Sequence, residues 1–121
     1  MRIFKNTWFT RFADKEGIMD AELRKTVNQL ESRPADADLG GGVYKVRVAR
    51  PGEGKSGGYR VIVFFKGGVR TFFVYGFAKS NRANIDRGEL QIFKDGAKDQ
   101  LAMTDEQIEA WLRNGSLIEI L

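Results

Sequence analysis

Two periodicities divide this chain, one of two residues in its middle and one near 3.6 towards both ends. Val43–Arg50 alternates cleanly, with Tyr44, Val46 and Val48 on one face and Lys45 and Arg47 on the other. Residues 59–66 and 71–78 are almost continuously apolar, the pattern of central strands covered on both faces. Lys66-Gly67-Gly68-Val69 between them fits a tight hairpin turn. The connection 51–58 (PGEGKSGG) is too long and glycine-rich for a minimal turn and is expected to form a mobile flap carrying Lys55. Shorter strands are expected at residues 1–5 and 117–121.

The flanks read as helices. Asn6 or Thr7 caps a stripe of Trp8, Phe9 and Phe12 that ends near Gly17. Asp20 opens a second helix with Leu23, Val27 and Leu30 at core spacing, and this helix must stop before Pro34. A polar connection rich in glycine spans 35–42. Beyond Ser80, Leu90, Phe93, Ala97 and Leu101 share one helical face. Thr104 and Gln107 then form a capping box for a last helix bearing Ile108, Trp111 and Leu112, closed by Gly115. Helices at the ends and consecutive strands between them predict an α+β fold. A small, mainly antiparallel sheet is expected, with an N-terminal helix pair and C-terminal helices, as one domain over 1–121.

Composition narrows the chemistry. The 121 residues contain neither cysteine nor histidine, which excludes disulfides, thiolate nucleophiles, His-ligated zinc and imidazole acid–base catalysis. No metal site or cofactor is expected. No apolar run approaches the roughly 18–20 residues of a membrane span, and the N-terminal segment lacks the pattern of a secretory leader. A cytoplasmic protein without a membrane partner is the expectation.

Charge is concentrated rather than spread. From residue 43 to 82 there are nine Lys or Arg and one acid, Glu53, a local charge of +8; the rest carries 11 basic and 15 acidic residues, a charge of −4. The nine are Lys45, Arg47, Arg50, Lys55, Arg60, Lys66, Arg70, Lys79 and Arg82. Strand geometry brings Arg60 near Lys79 and feeds Lys45, Arg47 and Arg50 to the same sheet end, a suitable arrangement for a polyanion. A solvated basic hairpin is the plainer alternative. Without histidine, a base for RNA cleavage must be Lys or a carboxylate, so Lys45 reads either as a phosphate contact or as that base. Phe72, Phe73, Tyr75 and Phe77 read mainly as core, with Tyr75 and Tyr59 as candidates for base stacking. Core roles are expected for Trp8 and Trp111, and a solvated helix face for Asp95, Asp99, Asp105, Glu106 and Glu109. Neither Gly40-Gly41-Gly42 nor PGEGKSGG matches a phosphate loop.

The segments VYKVRVAR, GGYRVIVFF and FFVYGFAKSNRANI resemble the RelE/ParE superfamily of type II toxins. GKSGGYR and YGFAKSNRANI resemble more narrowly a RelE-like branch often labelled HigB-like, and the likeness covers nearly the whole chain. It implies a ribosome-dependent endoribonuclease in which the 2′-OH attacks its own phosphate, with mRNA, the ribosome and a cognate antitoxin as partners. By motif position Lys45 becomes the candidate base and Arg60 the transition-state stabiliser. Arg47 stands where a second lysine is usual. Lys79 matches a catalytic-motif lysine, but Ser80 replaces the arginine that follows it; Arg82 matches the next arginine. The tyrosine expected near Asp86 is absent. Arg50 and Lys55, with Arg47, Arg82 and Tyr75, are the implied RNA contacts. A ParE-like gyrase poison and a non-catalytic RNA- or ribosome-binding module are the rival readings.

Overall fold

The computed structural model describes residues 1–34, 37–50 and 54–121, with the side chains of 54–57 outside that description. Its elements are β1 (Arg2–Asn6), α1 (Thr7–Glu16), α2 (Asp20–Ser32), β2 (Asp38–Gly40), β3 (Val43–Arg50), β4 (Gly54–Lys66), β5 (Arg70–Ala78), α3 (Arg87–Leu101), α4 (Asp105–Arg113) and β6 (Leu117–Ile120). The strands form one sheet in the order β2-β3-β4-β5-β1-β6, antiparallel except where β1 lies parallel to β5. This is the α+β architecture expected from the sequence.

Helix ends follow local chemistry. The Asn6 side chain accepts from the Phe9 amide at 2.7 Å to start α1, and Gly17 ends it in the left-handed conformation. Thr104 and Gln107 close the expected capping box on α4. Asp86 and Glu89 close a second one on α3, so that helix begins three residues before its first apolar position.

Two connections differ from expectation. The segment 35–42 contains the short edge strand β2; a three-residue strand beside a run of positive-φ glycines has no periodicity to betray it. Most of the anticipated flap is strand, since β4 starts at Gly54 and pairs it with Arg50. Residues 51–53 and the Lys55 side chain lie outside the described residues. Gly58 permits the pairing: a Cβ there would press on the Val48 carbonyl oxygen and come within 2.9 Å of the Arg50 amide.

The sheet is buried on both faces but not equally. One face packs Val46, Val48, Tyr59, Val61, Val63 and Phe73 under α1 and α2 through Phe9, Leu23 and Val27. The other packs Val43, Ile62, Phe64 and Phe72 under α3 and α4 through Ala97 and Ile108. Burying each such aromatic or aliphatic side chain contributes about 1.5–3 kcal/mol. The second cover is partial. It lies over the Phe64–Phe72 end and leaves the end carrying Arg47 and Arg60 without a helix.

Candidate functional site: a cationic floor at one sheet end

Cross-strand register builds the site in two rows. Lys45 opposes Ile62, which opposes Tyr75; one step on, Arg47 opposes Arg60, which opposes Phe77. Opposed residues share a face, so these six lie together on the α3 side of the sheet. Tyr75 reaches that face because of a β-bulge between Ile62 and Val63, where β5 spends one extra residue, Val74. Simple alternation from Phe73 would have sent Tyr75 towards α1 and α2 and Gly76 to the site face; the bulge reverses both. Gly76 faces α1 closely: a Cβ on it would meet the Phe12 ring at 2.7 Å.

The loop after β5 folds back across these rows. Lys45 Nζ donates to Asn84 Oδ1 at 3.2 Å. Arg82 donates to the Asn84 carbonyl at 3.0 Å, to the Tyr75 hydroxyl at 3.2 Å and to both oxygens of Glu89 at 2.6 and 3.0 Å, with its guanidinium 5.3 Å from the Phe77 ring. The Arg82 hydrogen bond, aided by the Asp86 amide, holds the Glu89 carboxyl down at about 2. The reciprocal bonds raise the Arg82 guanidinium further above its ordinary value. Arg82 is therefore a clasp between loop, helix and sheet, with its charge already matched.

Arg60 is the opposite case. Only 7% of it is exposed, and its Nη1 is buried without a hydrogen-bond partner. Its cross-strand neighbour is a second cation, Arg47. Burial, then the Arg47 charge, push the Arg60 guanidinium below the ordinary arginine value. A buried cation needs an anion or several acceptors to offset its lost hydration, and none of the described residues supplies Arg60 with one. Arg47 is exposed and has no ion pair among the described residues. A phosphate between the two would satisfy both.

The remaining candidates are more scattered. Lys79 is exposed one position past β5, at the same sheet end, its amide donating to the Gly58 carbonyl at 3.3 Å. Arg50 lies on the other face, its guanidinium 5.8 Å from the Tyr59 ring. Parity along β3 already implied this, since positions 48 and 50 share a face opposite 45 and 47. Tyr59 is not a surface ring; it is 1% exposed and packs edge-on against Phe12. Trp8, expected in the core, is 44% exposed and lies against Tyr75. Asn84 and Glu89 were missed as site residues. The Asp86-x-x-Glu89 capping pattern marked Glu89's position, whereas nothing local marks Asn84. A cleft of about 600 Å³ also opens beside the site, between α2 and the β3 edge, lined in part by Gln29, Arg33, Lys45 and Arg47.

Two further observations bound the reading. No helix among the described residues is long and apolar enough to cross a membrane. A family model described as RelE toxin of the RelE / RelB toxin-antitoxin system matches residues 1–120.

Proposed function

The chain belongs to the RelE toxin family of toxin–antitoxin systems, and on that premise we propose that it is a cytoplasmic, ribosome-dependent mRNA endonuclease neutralised by a separately encoded antitoxin. The observation that carries this reading is Arg60, a buried guanidinium with an unpartnered Nη1 beside Arg47. RNA brings its own nucleophile, so the protein has to align the 2′-OH, take its proton and stabilise the charge that grows on the phosphate. Arg60 and Arg47 take the phosphate oxygens. Lys45, one row away and steered by Asn84, accepts the 2′-OH proton as that oxygen bonds to phosphorus, and the 5′-oxygen leaves with a proton taken from water. The products are a 2′,3′-cyclic phosphate and a 5′-hydroxyl. Lys79, at the same sheet end, is the cation best placed to follow the leaving strand, and Tyr75 and Arg82 wall the site. The ribosome supplies the substrate alignment that a site without histidine and without the tyrosine expected near Asp86 lacks.

The test is induction of the chain in bacteria followed by mapping of mRNA 5′ ends. Translation arrest with new 5′-hydroxyl ends is the expected result. Arg60→Ala should lose about 10²–10³ in cutting. Lys45→Arg keeps the charge but has no accessible neutral form, so association with ribosomes should survive while cutting is lost. Full cutting by Lys45→Arg would reassign Lys45 to phosphate contact. Filamentation with a DNA-damage response and intact transcripts would favour the gyrase-poison reading instead.

A further inference from the structure

Trp8 is the more exposed of the two tryptophans, on a helix whose other rings are buried (Phe9) or partly buried (Phe12). It is 44% exposed, yet its ring is fixed: 5.4 Å and nearly parallel to Phe12, and 4.6 Å from Tyr75. Tyr75 continues the ring series to Phe77 at 6.1 Å and Phe93 at 5.7 Å. The series therefore runs from an exposed indole on α1 to the two rows that hold Lys45 and Arg60. Along α1, at 3.6 residues per turn, Arg11 and Lys15 fall within about 60° of Trp8 around the helix axis. Both are exposed, and neither has an ion pair among the described residues. A half-exposed aromatic held by two rings, flanked by cations and leading to the Arg47–Arg60 pair, has the chemistry of a single-stranded nucleic-acid track.

We propose that Trp8, backed by Phe12 and Tyr75, is a stacking platform for one unpaired nucleobase of the RNA, with Arg11 and Lys15 following the adjoining backbone. The proposal rests on the RNA-cleaving reading above and adds to it the position that reads a base. Tyr75, against which Trp8 packs, lies in the row adjoining that of Arg60, about 7 Å along the strand, so the stacked base belongs to a nucleotide near the phosphate that Arg60 takes. Stacking tolerates every base but favours the larger purine ring face. Trp8 thus sets a graded preference at one position beside the cut, whereas Arg60 acts on every site alike.

The experiment compares mapped 5′ ends from cells expressing wild type, Trp8→Ala, Trp8→Phe and Arg60→Ala at matched soluble levels. A base preference at one position next to the cut should flatten in Trp8→Ala and persist in Trp8→Phe, while Arg60→Ala loses cutting everywhere. In parallel, Trp8 becomes the sole indole in a Trp111→Phe protein. Its fluorescence should be quenched at low salt by a 2′-deoxy-blocked single-stranded RNA hexamer and not by an abasic strand of equal length. Trp8→Ala should weaken hexamer binding roughly five- to hundredfold. An unchanged preference in soluble Trp8→Ala overturns the platform and leaves the nuclease reading standing. Quenching by a co-purified antitoxin but not by RNA also overturns it, making Trp8 a protein anchor. Absence of any cutting by wild type sinks both.

Discussion

The two ends of the sheet carry similar cations and treat them in opposite ways. At the hairpin-turn end, Arg2 donates to Glu119 at 2.9 Å and to Glu109 at 3.1 Å, and Arg70 meets the Met103 carbonyl at 2.6 Å and Asp105 at 3.2 Å. The carboxylates there are Asp105 and Glu109 of α4, expected to form only a solvated helix face, and Glu119 of β6. At the other end, Arg60 and Arg47 face each other with no carboxylate among the described residues. Identical side chains are thus structural at one end and unsatisfied at the other. A fold that leaves a buried guanidinium unmatched gives up stability there, which is the pattern of a site awaiting an anion.

Exchanging each arginine for methionine separates the two roles most widely. Arg60→Met should lower mRNA cutting by about 10²–10³. Its urea midpoint should stay level or rise, because an apolar stem replaces an unpaired buried charge. Arg70→Met should do the reverse, keeping cutting while losing about 1–3 kcal/mol of stability with its charged hydrogen bonds. Urea titrations and quantified 5′ ends on both variants check this. A large stability loss in Arg60→Met with cutting retained would make the two ends equivalent and remove the basis of the comparison.

The glycines at the two ends offer a smaller effect of the same kind. Gly58 holds extended backbone against Val48 and Arg50, so Gly58→Ala must push the β3–β4 pairing apart beneath Arg47 and Arg60. Overpacking of this sort costs about 1–3 kcal/mol, and cutting should fall along with stability. Gly68 sits in the turn at φ +73 with open space around it. Gly68→Ala therefore costs only the left-handed penalty of about 1–2 kcal/mol and should leave cutting unchanged. Equal loss of cutting in both variants, at equal stability, would show that the open end is no more sensitive than the turn.

The strands, helices and their order were legible because each has a period: two along β3, near 3.6 along the helices, and unbroken apolar runs in β4 and β5. Lys45, Arg47 and Arg60 could be placed together from spacing alone, since alternation and antiparallel pairing are simple rules. Features that depend on one irregular residue were not legible. The bulge at Val74 turns Tyr75 onto the site face, and an apolar run gives no sign of where its parity slips. Asn84 reaches Lys45 only because a loop crosses two strands, a contact with no local signature. Trp8 looked like core because its helical stripe continues through Phe9 and Phe12. Its position past the end of β1, against β5, is what leaves it exposed.

Arg82 tests the comparison most finely, because it lies at the open end yet is paired like Arg2. Its clasp to Glu89 holds that carboxyl at about 2, below the ordinary value of 4.5. A carboxyl depressed on folding stabilises the folded chain fully above the unfolded value, and the contribution disappears as pH falls through the folded one. Wild type should therefore lose stability relative to Glu89→Gln between about pH 4.5 and about pH 2, and the two should run parallel above pH 5. Glu119, also lowered by Arg2, remains in both proteins and cancels in the difference. Both partners of the clasp are partly exposed, so the difference should be small and should shrink with added salt. Urea midpoints measured at half-unit steps of pH resolve it. A difference curve that stays flat through that window would mean that Glu89 leaves Arg82 uncompensated in solution. Arg82 would then join Arg47 and Arg60 as a third cation available to the phosphate.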